Sequence, residues 1–512
     1  MIVAIAADHA GLPLRQAITD VVSAAGHEPL LLGPSDGRPV DYPLVTRLVA
    51  DAIATGQAER GILVCGSGAG VTVAANKLPL IRAAYGTDHY TAGQMVEHDA
   101  CNVLALGARV MGPAVAAEVV QAFLGARFSG EERHARRLAA VLEFERLRGM
   151  NAATRLHEVG QSLWLDYITR ELLNSGDLAR YIASAGVTGL TSNPTIFDKA
   201  ITGSGDYDEQ VRQLSEQGLG TEELFFELAL DDLRRAAGLF RPTWDGSQGR
   251  DGYVSLEVSP KLAYDTEATI AQAKMLHEKA ATPNLLVKVP GTQEGLTAIE
   301  ELIFAGVPLN VTLLFSDDHY VAAASAYRRG LERRHEAGLD LKIASVASVF
   351  ISRWDQALIN LVPEELQDQL GIAIAKRCYR AYRRSLGASE WQLLEDAGAR
   401  PQRLLFASTG TKSKTRPDTY YVQALAAPDT INTMPEPTLD AFIDHGHVGE
   451  LLSAEAVDAD QMLAQFESSG IDVQGLAARL QTEGANAFVD SWEDLMQKLA
   501  GKAAKVTTGV AG

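Results

Sequence analysis

Short apolar runs alternate with amphipathic stretches along the first 149 residues of the chain. The apolar runs are IVAIAA at 2–7, PLLLG, GILVC at 61–65, RAAY and NVLALG. Stretches of helical periodicity follow them, from about Leu12, after Pro43, from about Asp88 and after Pro113. Five such repeats are typical of an α/β fold with helices on both faces of a parallel sheet. The pattern therefore predicts a doubly wound, Rossmann-like parallel sheet.

A second and longer series of strand and helix patterns fills the rest of the chain. Its candidate strands are SLWLDY, VTGLTS, VSLEVS, LLVKVP, PLNVTLLF, KIASVASVF, RLLFAS and DTINTM. Eight strands with intervening helices over roughly 270 residues predict a (β/α)₈ TIM barrel. Extra helical segments, from about Pro363 to Arg400 and after Thr438, exceed what a minimal barrel needs.

The boundary between the two series follows a strongly charged helical stretch, EERHARRLAAVLEFERLRG. The next stretch, GMNAATRLHE, begins as though a separate protein started there. Since single cores stop growing at about 250–300 residues, a chain of 512 residues is expected to form more than one domain. We place the seam near Gly149 and Met150, which predicts one domain at 1–149 and another at 150–512.

The composition of the chain argues against several classes of function. The chain has 46% hydrophobic and 22% charged residues and a formal net charge of −19, which argues against a broad nucleic-acid surface. No run reaches the length of a membrane span, and the start MIVAIAADHAGLP lacks the pattern of a signal peptide. We therefore expect a cytoplasmic protein without nucleic-acid or membrane partners. The three cysteines, Cys65, Cys101 and Cys378, have no CxxC or CxxxH spacing, so neither a disulfide framework nor a structural zinc site is expected. No plausible metal cluster stands out in either series, and no cofactor is predicted.

The stretch GILVCGSGAGVTVAANK carries the first candidate chemistry. A buried strand delivers Cys65 to a glycine loop and then to the start of a helix. The N–H groups of such a loop can hold an anion or a developing enolate oxygen, and the helix dipole favours a thiolate. Val71 stands where a dinucleotide fingerprint requires glycine. Spacing alone does not favour a catalytic cysteine over the two alternatives, a nucleotide-binding loop and an inert buried cysteine.

The motifs ADHAG, DYP, CGSGAG, AANK, EHDACNVLALGARV and RHARR together make residues 1–149 resemble ribose-5-phosphate isomerase B. The resemblance implies that Cys65 moves a proton between C1 and C2 of the sugar. It also implies that Ser67 and the loop amides stabilise the enediolate, and that His98 opens the sugar ring. Substrate-binding residues implied in the same way are Asp8, His9, Gly66, Gly68, Gly70, Asp99, Arg133 and Arg137.

The sequence leaves other interpretations of residues 1–149 open. His98 is also suited to capping a helix C-terminus, Asp8 to capping a helix, and Arg133 and Arg137 to forming surface pairs. Allose 6-phosphate or galactose 6-phosphate is an alternative substrate, and a non-catalytic sugar-phosphate-binding or dimerisation module is an alternative role. Because isomerases of the resembled type share active sites across a dimer interface, the resemblance implies a homodimer or a larger homo-oligomer.

Lys288 interrupts the apolar run NLLVKVPG, and a lysine is rarely buried without a purpose. Burial disfavours the charged ammonium, and a neutral amine can attack a ketone, so Lys288 is a Schiff-base candidate. On neighbouring candidate strands, Asp166 and Glu257 interrupt apolar runs, and Asn310 and Thr312 lie in PLNVTLLF. Polar residues at strand ends are expected at the carboxyl-terminal mouth of the barrel. The alternative is a polar layer that merely fills the barrel.

The stretches GQSLWLD, GLTSNPTIF, VSLEVSPKLAYDTEATI, LLVKVPGT, LNVTLLFS, SVASVFISRWD and FASTGTKSK resemble transaldolase. The resemblance implies metal-free transfer of a dihydroxyacetone unit between sugar phosphates through an imine on Lys288. Asp166 would take the proton when the C3–C4 bond breaks, and Glu257 with Thr312 would hold the water of imine formation. Further residues implied to bind the substrates are Asn193, Asn310, Ser348, Arg353, Ser408 and Lys412, with Lys414 as a second loop lysine.

Overall fold

The computed structural model describes residues 1–148, 150–413 and 415–508. Contacts between Cα atoms divide the chain into two compact units, Met1–Gly149 and Met150–Gly512. Gly149, where the sequence places the seam, lies outside the described residues, as does Lys414. No helix within the described ranges is long and apolar enough to cross a membrane.

The first unit is built on a parallel sheet of five strands in the order β2-β1-β3-β5-β4. The predicted doubly wound parallel sheet is confirmed. The strands coincide with the short apolar runs, and β1, β3 and β5 are buried because helices cover both faces of the sheet. The strands are β1 (Ile2–Ala7), β2 (Glu28–Leu32), β3 (Arg60–Cys65), β4 (Ala83–Tyr85) and β5 (Val103–Gly107).

Two separate apolar clusters cover the two faces of this sheet. Residues of α1, α4 and α5 pack on one face, and residues of α2 and α3 pack on the other. The helices are α1 (Leu12–Ala24), α2 (Tyr42–Ala54), α3 (Ala69–Ala75), α4 (His89–Asp99), α5 (Pro113–Gly125) and α6 (Glu132–Arg148). The unit therefore has a complete core of its own.

The second unit is a closed parallel barrel of eight strands in the order β10-β11-β12-β13-β6-β7-β8-β9. All eight candidate strands form, which confirms the predicted (β/α)₈ barrel. The strands are β6 (Ser162–Leu165), β7 (Val187–Leu190), β8 (Val254–Glu257), β9 (Leu285–Pro290), β10 (Leu309–Leu314), β11 (Ser345–Phe350), β12 (Arg403–Ala407) and β13 (Ile431–Met434).

Helices surround the barrel, and several exceed the number that the barrel itself requires, as predicted. Helix α7 (Ala152–Glu158) precedes β6. Those between β6 and β11 are α8 (Arg170–Asn174), α9 (Asp177–Ala185), α10 (Pro194–Gly203), α11 (Asp208–Glu216), α12 (Thr221–Gly246), α13 (Thr266–Ala280), α14 (Gln293–Ala305) and α15 (Asp317–Glu336). Those that follow are α16 (Ser352–Gln356), α17 (Leu370–Leu386), α18 (Ser389–Asp396), α19 (Tyr420–Ala424), α20 (Glu436–His445), α21 (Val457–Ser468) and α22 (Val473–Thr508).

Candidate active sites

The strand register of the barrel places three polar side chains next to one another. Glu257 on β8 pairs with Lys288 on β9, and Lys288 pairs in turn with Asn310 on β10. Neighbouring strands lie about 4.8 Å apart, so side chains at paired positions on one face are in contact range. All three residues are buried inside the closed barrel. The register thus assembles an acid, an amine and an amide from segments that are far apart in the chain.

Lys288 is 5% exposed, and its amine is held by two oxygen atoms. The Nζ atom lies 3.1 Å from Glu257 Oε2 and donates to the carbonyl oxygen of Ser192 at 3.4 Å. Burial raises the pKa of Glu257, and the Lys288 charge opposes this effect. A carboxylate whose basicity is raised by burial and which touches the amine can accept the amine's proton. This pair has the chemistry required of a nucleophilic lysine.

Asp166 follows directly after β6 and faces the same interior space. Thr191 Oγ1 donates to Asp166 Oδ1 at 2.7 Å and lies 2.7 Å from the hydroxyl of Thr433. Burial raises the pKa of Asp166, and the charge of Lys288 again opposes the effect. A carboxylate oriented by a hydroxyl and surrounded by protein is suited to take up and return a proton.

Asn310 and Ser348 are tied together across strands β10 and β11. Ser348 Oγ donates to Asn310 Oδ1 at 2.7 Å, and Asn310 Nδ2 donates to Ser255 Oγ at 3.1 Å. These bonds fix the orientation of the Asn310 amide. Thr312 Oγ1 is buried and has no hydrogen-bond partner among the described residues, so its hydroxyl retains its full capacity for a further bond.

A cavity of ≈ 600 Å³ opens at the carboxyl ends of the barrel strands. The resemblance-derived residues that line it are Asp166, Asn193, Lys288, Thr312, Ser348, Arg353, Ser408 and Lys412. Glu257 and Asn310 are bonded to Lys288 and to Ser348 respectively. The structure therefore brings all the predicted barrel residues within the described ranges to one site.

Two cationic side chains line the same cavity on the side of β11 and β12. Arg353, on α16, has no hydrogen bond or ion pair from its guanidinium to the described residues, and burial lowers its pKa. Lys412 is exposed in the loop after β12. Ser408 begins that loop with a φ of 57°, and its hydroxyl lies 2.9 Å from the hydroxyl of Ser352. A guanidinium without a protein acceptor is suited to bind an anionic group of a ligand.

In the first unit, Cys65 lies at the carboxyl end of β3. Its Sγ accepts a hydrogen bond from the Gly68 amide at 3.1 Å, while Ser67 between them is exposed. Asp8 follows β1 at the same edge, and its Oδ1 accepts from the amides of Ala10 and Gly11 at 2.9 and 2.8 Å. Asp8 therefore orders the turn before α1, whose N-cap residue Gly11 has no side-chain cap, and its place near the substrate stays a prediction.

Gly68 has a φ of 81°, a left-handed conformation that favours glycine. An added Cβ would lie 2.2 Å from Tyr85 Cε2, so no other residue fits without displacing that ring. Tyr85 has its hydroxyl buried without a partner among the described residues, and burial raises the pKa of this phenol. The Gly66–Gly70 loop is therefore held tightly beside Cys65.

His98 belongs to a second group of predicted residues at the other edge of the sheet. It lies in the last turn of α4, where its ring stacks on the buried His134 with ring centroids 4.0 Å apart. His134 Nδ1 is 2.8 Å from Ser129 Oγ, and burial, followed by the charge of His98, lowers the pKa of His134. Arg133 and Arg137 lie on α6 beside this stack and are exposed.

Helix α4 ends at the amino edge of the sheet. There Arg82, just before β4, donates its Nε to the carbonyl of Ala100, the residue that follows the helix, at 2.8 Å. Cys65 pairs with Gly107 at the carboxyl edge. The two edges are separated by the length of β3, which is roughly 17 Å for six residues. One copy of the unit therefore does not bring His98, Asp99, Arg133 and Arg137 to Cys65.

Each of the two units is similar to a family of known proteins. Residues 163–499 match the family model described as Transaldolase/Fructose-6-phosphate aldolase. A transaldolase of Saccharopolyspora erythraea is 44% identical over 67% of this chain and 95% of that protein, and one of Thermobifida fusca is 43% identical over 68% and 96%. The chain belongs to the transaldolase/fructose-6-phosphate aldolase family.

The N-terminal part of this transaldolase-family chain matches a second model. Residues 3–141 match the family described as Ribose/Galactose Isomerase. A solved type B ribose 5-phosphate isomerase of Trypanosoma brucei is 48% identical, covering 27% of this chain and 95% of that chain with a TM-score of 0.27. The matches confirm the two predicted resemblances and the class of an enzyme that joins an isomerase unit to a transaldolase unit.

Several side chains at both sites were not singled out from the sequence. Thr191 and Thr433 orient Asp166, Phe488 lines the cavity from the C-terminal helix, and Arg109 lies beside the Cys65 loop. A Cβ on Gly66 would be 3.6 Å from Arg109 Cδ. Thr191 stands in the quoted stretch GLTSNPTIF, so its place at a strand end was a usable signal. Phe488 gave no signal, because an apolar residue in an amphipathic helix is indistinguishable from ordinary core.

Within residues 1–148, 150–413 and 415–508, no cluster of three or more histidine, cysteine or acidic side chains is arranged to hold a metal ion. The prediction of metal-free and cofactor-free catalysis stays a prediction, as does the cytoplasmic location.

Proposed function

We propose that the transaldolase unit transfers a dihydroxyacetone unit from sedoheptulose 7-phosphate to glyceraldehyde 3-phosphate through an imine on Lys288. The observation that carries the proposal is the buried amine of Lys288, in contact with Glu257 and lining the same cavity as Asp166. A buried amine with a neighbouring proton acceptor is what imine formation with a ketose requires.

In the first step the amine of Lys288 adds to C2 of the ketose, and the carbonyl oxygen leaves as water. Glu257, 3.1 Å from Nζ, accepts the proton that the amine loses and returns it to the departing hydroxyl. The hydroxyl of Thr312, which has no partner among the described residues, holds that water together with Glu257.

In the second step Asp166 takes the proton of the C4 hydroxyl while the C3–C4 bond breaks. The bonding electrons move into the protonated imine, which becomes an enamine, and the aldehyde product leaves. Thr191 keeps the carboxylate oriented, and the raised pKa of Asp166 makes it a stronger base for this proton. The same residue protonates the new alkoxide when the acceptor aldehyde arrives.

The remaining cavity residues bind the sugar phosphates in this proposal. Asn193 uses its Oδ1 to cap α10 through the amide of Ile196 at 3.1 Å, which leaves its NH₂ group to donate to a donor hydroxyl. Asn310, ordered by Ser348, binds another hydroxyl. Arg353, Ser408 and Lys412 bind the phosphate.

Borohydride reduction in the presence of fructose 6-phosphate tests this proposal, because only an imine is reduced to a stable adduct. Peptide mapping is expected to find a three-carbon adduct on Lys288. Lys199 and Lys412 line the same cavity and are internal controls. An adduct on either of them, or none in enzyme that transfers the unit, would contradict the assignment.

We further infer that the isomerase unit interconverts ribose 5-phosphate and ribulose 5-phosphate, with Cys65 as the base that moves a proton between C2 and C1. Ser67 and the amides of the Gly66–Gly70 loop lie around Cys65, where the enediolate oxygens form. Val71 is fully buried and cannot ionise, so Cys65 is the base of this loop. Turnover of ribose 5-phosphate measured against allose 6-phosphate and galactose 6-phosphate distinguishes the sugars.

The isomerase acts as a homodimer in this proposal, with His98, Arg133 and Arg137 of one copy completing the Cys65 site of the other. The support is the separation of the two groups along the sheet. Exposed apolar side chains are also concentrated on this unit, and such side chains are typical of a protein–protein interface. They include Tyr42, Leu44, Leu48, Val73, Leu80, Val141, Leu142 and Phe144.

Mixing two inactive variants tests the shared site. Cys65→Ala and His98→Asn each remove one half of it, so a mixed dimer holds one intact site and one doubly altered site. After unfolding and refolding together, random pairing is expected to restore about a quarter of the parent isomerase activity. Recovery of no activity from a mixture that forms dimers would show that each copy builds its own site.

A further inference from the structure

Arg353 lies on a very short helix, so the position of its guanidinium depends on how that helix is held. Helix α16 (Ser352–Gln356) has five residues and closely follows β11 (Ser345–Phe350). So short a helix is not stable by itself, because it closes few hydrogen bonds of its own. Its place in the barrel is therefore set by bonds to neighbouring elements.

Backbone bonds attach the start of α16 to the end of β12. The amide of Ile351 donates to the carbonyl of Ala407 at 3.0 Å, and the amide of Ser352 donates to the carbonyl of Ser408 at 3.1 Å. The hydroxyls of Ser352 and Ser408 lie 2.9 Å apart. These bonds fix the residues that precede Arg353, and the other end of the helix requires a separate anchor.

Asp355 attaches that other end of α16 to two further helices. Its Oδ2 accepts from the hydroxyl of Tyr421, on α19, at 2.7 Å, and its Oδ1 accepts from the amide of Gly371, near the start of α17, at 3.2 Å. A Cβ on Gly371 would lie 2.6 Å from the carbonyl oxygen of Ile351 and 2.8 Å from Asp355 Oδ2. Glycine at this position therefore allows α17 to approach α16 closely.

The anchor formed by Asp355 and Tyr421 is buried and lies outside the cavity around Lys288. Asp355 is 6% exposed and Tyr421 is 2% exposed. Neither is among the described residues that line that cavity, whereas Arg353 is. A buried carboxylate is unfavourable unless it is hydrogen-bonded, so its two bonds hold it in one orientation. The pair can act on a ligand of the cavity only through Arg353.

We propose that Asp355 and Tyr421 are positioning residues that hold Arg353 where it binds the phosphate of the acceptor aldehyde. The inference rests on the proposed function, in which Arg353 binds that phosphate. Asp355 lies two residues from Arg353 on the same short helix, so a rotation of the helix moves the guanidinium. A small displacement of a binding group weakens the contact that it makes. The bond between Lys288 and Glu257 is made inside the barrel and stays in place.

The test measures the preference of the full chain for a phosphorylated acceptor. The donor is fructose 6-phosphate, and kcat/KM is compared for erythrose 4-phosphate and for erythrose, which lacks the phosphate. Release of glyceraldehyde 3-phosphate above the rate without acceptor is followed with its dehydrogenase. Transfer proceeds in two half-reactions, so kcat/KM for the acceptor does not depend on donor binding. The ratio of the two values therefore reports on the phosphate contact alone.

Four variants separate the anchor from general structure. Tyr421→Phe removes one bond to Asp355 and Asp355→Leu removes both, and each is expected to lower the ratio about tenfold. Asp355→Asn is expected to keep the parent ratio, because its Oδ1 accepts from Gly371 and its Nδ2 donates to the Tyr421 oxygen. Tyr420→Phe is the matched control and should also keep the ratio. Tyr420 is the adjacent tyrosine, and its hydroxyl donates instead to the carbonyl of Asp368 at 3.0 Å.

Arg353→Gln reports separately on the proposed phosphate site. A parent ratio in Arg353→Gln would show that the phosphate site itself is wrong, and this inference would fall with it. If Arg353→Gln lowers the ratio but folded Tyr421→Phe does not, the positioning role alone is overturned. An equal loss with both acceptors, or a loss in Asp355→Asn as large as in Asp355→Leu, would overturn it as well. Tyr421→Phe keeps the test valid if Asp355→Leu does not fold.

Discussion

Asp355 is a carboxylate buried in the transaldolase unit, two residues after Arg353. It is 6% exposed, and it accepts hydrogen bonds from the hydroxyl of Tyr421 at 2.7 Å and from the amide of Gly371 at 3.2 Å. Burial raises its pKa to about 6 despite these two bonds, and the charge of Asp368 adds to the rise. Replacing this group by Asp355→Asn removes the titration and keeps the shape.

The size and sign of the effect follow from the rise in the pKa of Asp355 from 3.8 to about 6 on folding. Between these values the folded chain keeps a proton that the unfolded chain loses, so the free energy of unfolding falls as pH rises through the window. Two pKa units correspond to about 3 kcal/mol in full, of which about 2 kcal/mol lies between pH 4.5 and pH 8. As pH rises from 4.5 to 8, the free energy of unfolding of Asp355→Asn is therefore expected to increase by about 2 kcal/mol relative to that of the parent.

Urea unfolding followed by tryptophan fluorescence measures this difference in the full chain. All five tryptophans, Trp164, Trp244, Trp354, Trp391 and Trp492, belong to the transaldolase unit, so the signal reports on that unit. Asp396→Asn, at an exposed carboxylate of the same unit, is the control. If the difference between Asp355→Asn and the parent were the same at pH 4.5 and pH 8, the assignment of a raised pKa to a buried carboxylate would be refuted.

Three further predictions concern the two activities. Cys65→Ala should lower isomerase turnover about a hundredfold to ten-thousandfold and leave transfer unchanged in coupled assays; parent-level isomerisation would require another base. Lys288→Met should abolish transfer and the borohydride adduct and should also lower the thermal midpoint, because Glu257 is left buried without its cationic partner; an unchanged midpoint would contradict this. Residues 1–149 and 150–512 expressed separately should each keep their activity within about twofold, since each unit has its own core; loss of either activity would reveal dependence between them.

Much of the fold could be predicted from short segments of sequence. The runs GILVC and LLVKVP form strands because they are apolar except for Lys288, as strands covered by helices must be. The barrel could be predicted because eight such segments recur with helices between them. Lys288 stood out for the same local reason, since a single cation in an apolar run has no ordinary place in a core.

The assembly of the sites depended on contacts between distant segments. Glu257 and Asn310 flank Lys288 because strand register pairs them, and Thr191 with Thr433 orients Asp166 only after the barrel closes. His98 and Cys65, which the isomerase resemblance assigns to one site, lie at opposite edges of the sheet in one copy. The relative positions of these groups follow from strand order and helix direction, which short segments do not specify.

Sequence by itself determined which segments form strands and helices, where the chain changes from one series to the other, and which residues have chemistry unsuited to a core. Periodicity is a property of neighbouring residues, so it can be read along the chain. The tertiary structure alone decided that Phe488, two hundred positions after Lys288, covers its amine. Helix docking and strand register are set by packing between segments far apart in sequence, and they determine which side chains share a cavity.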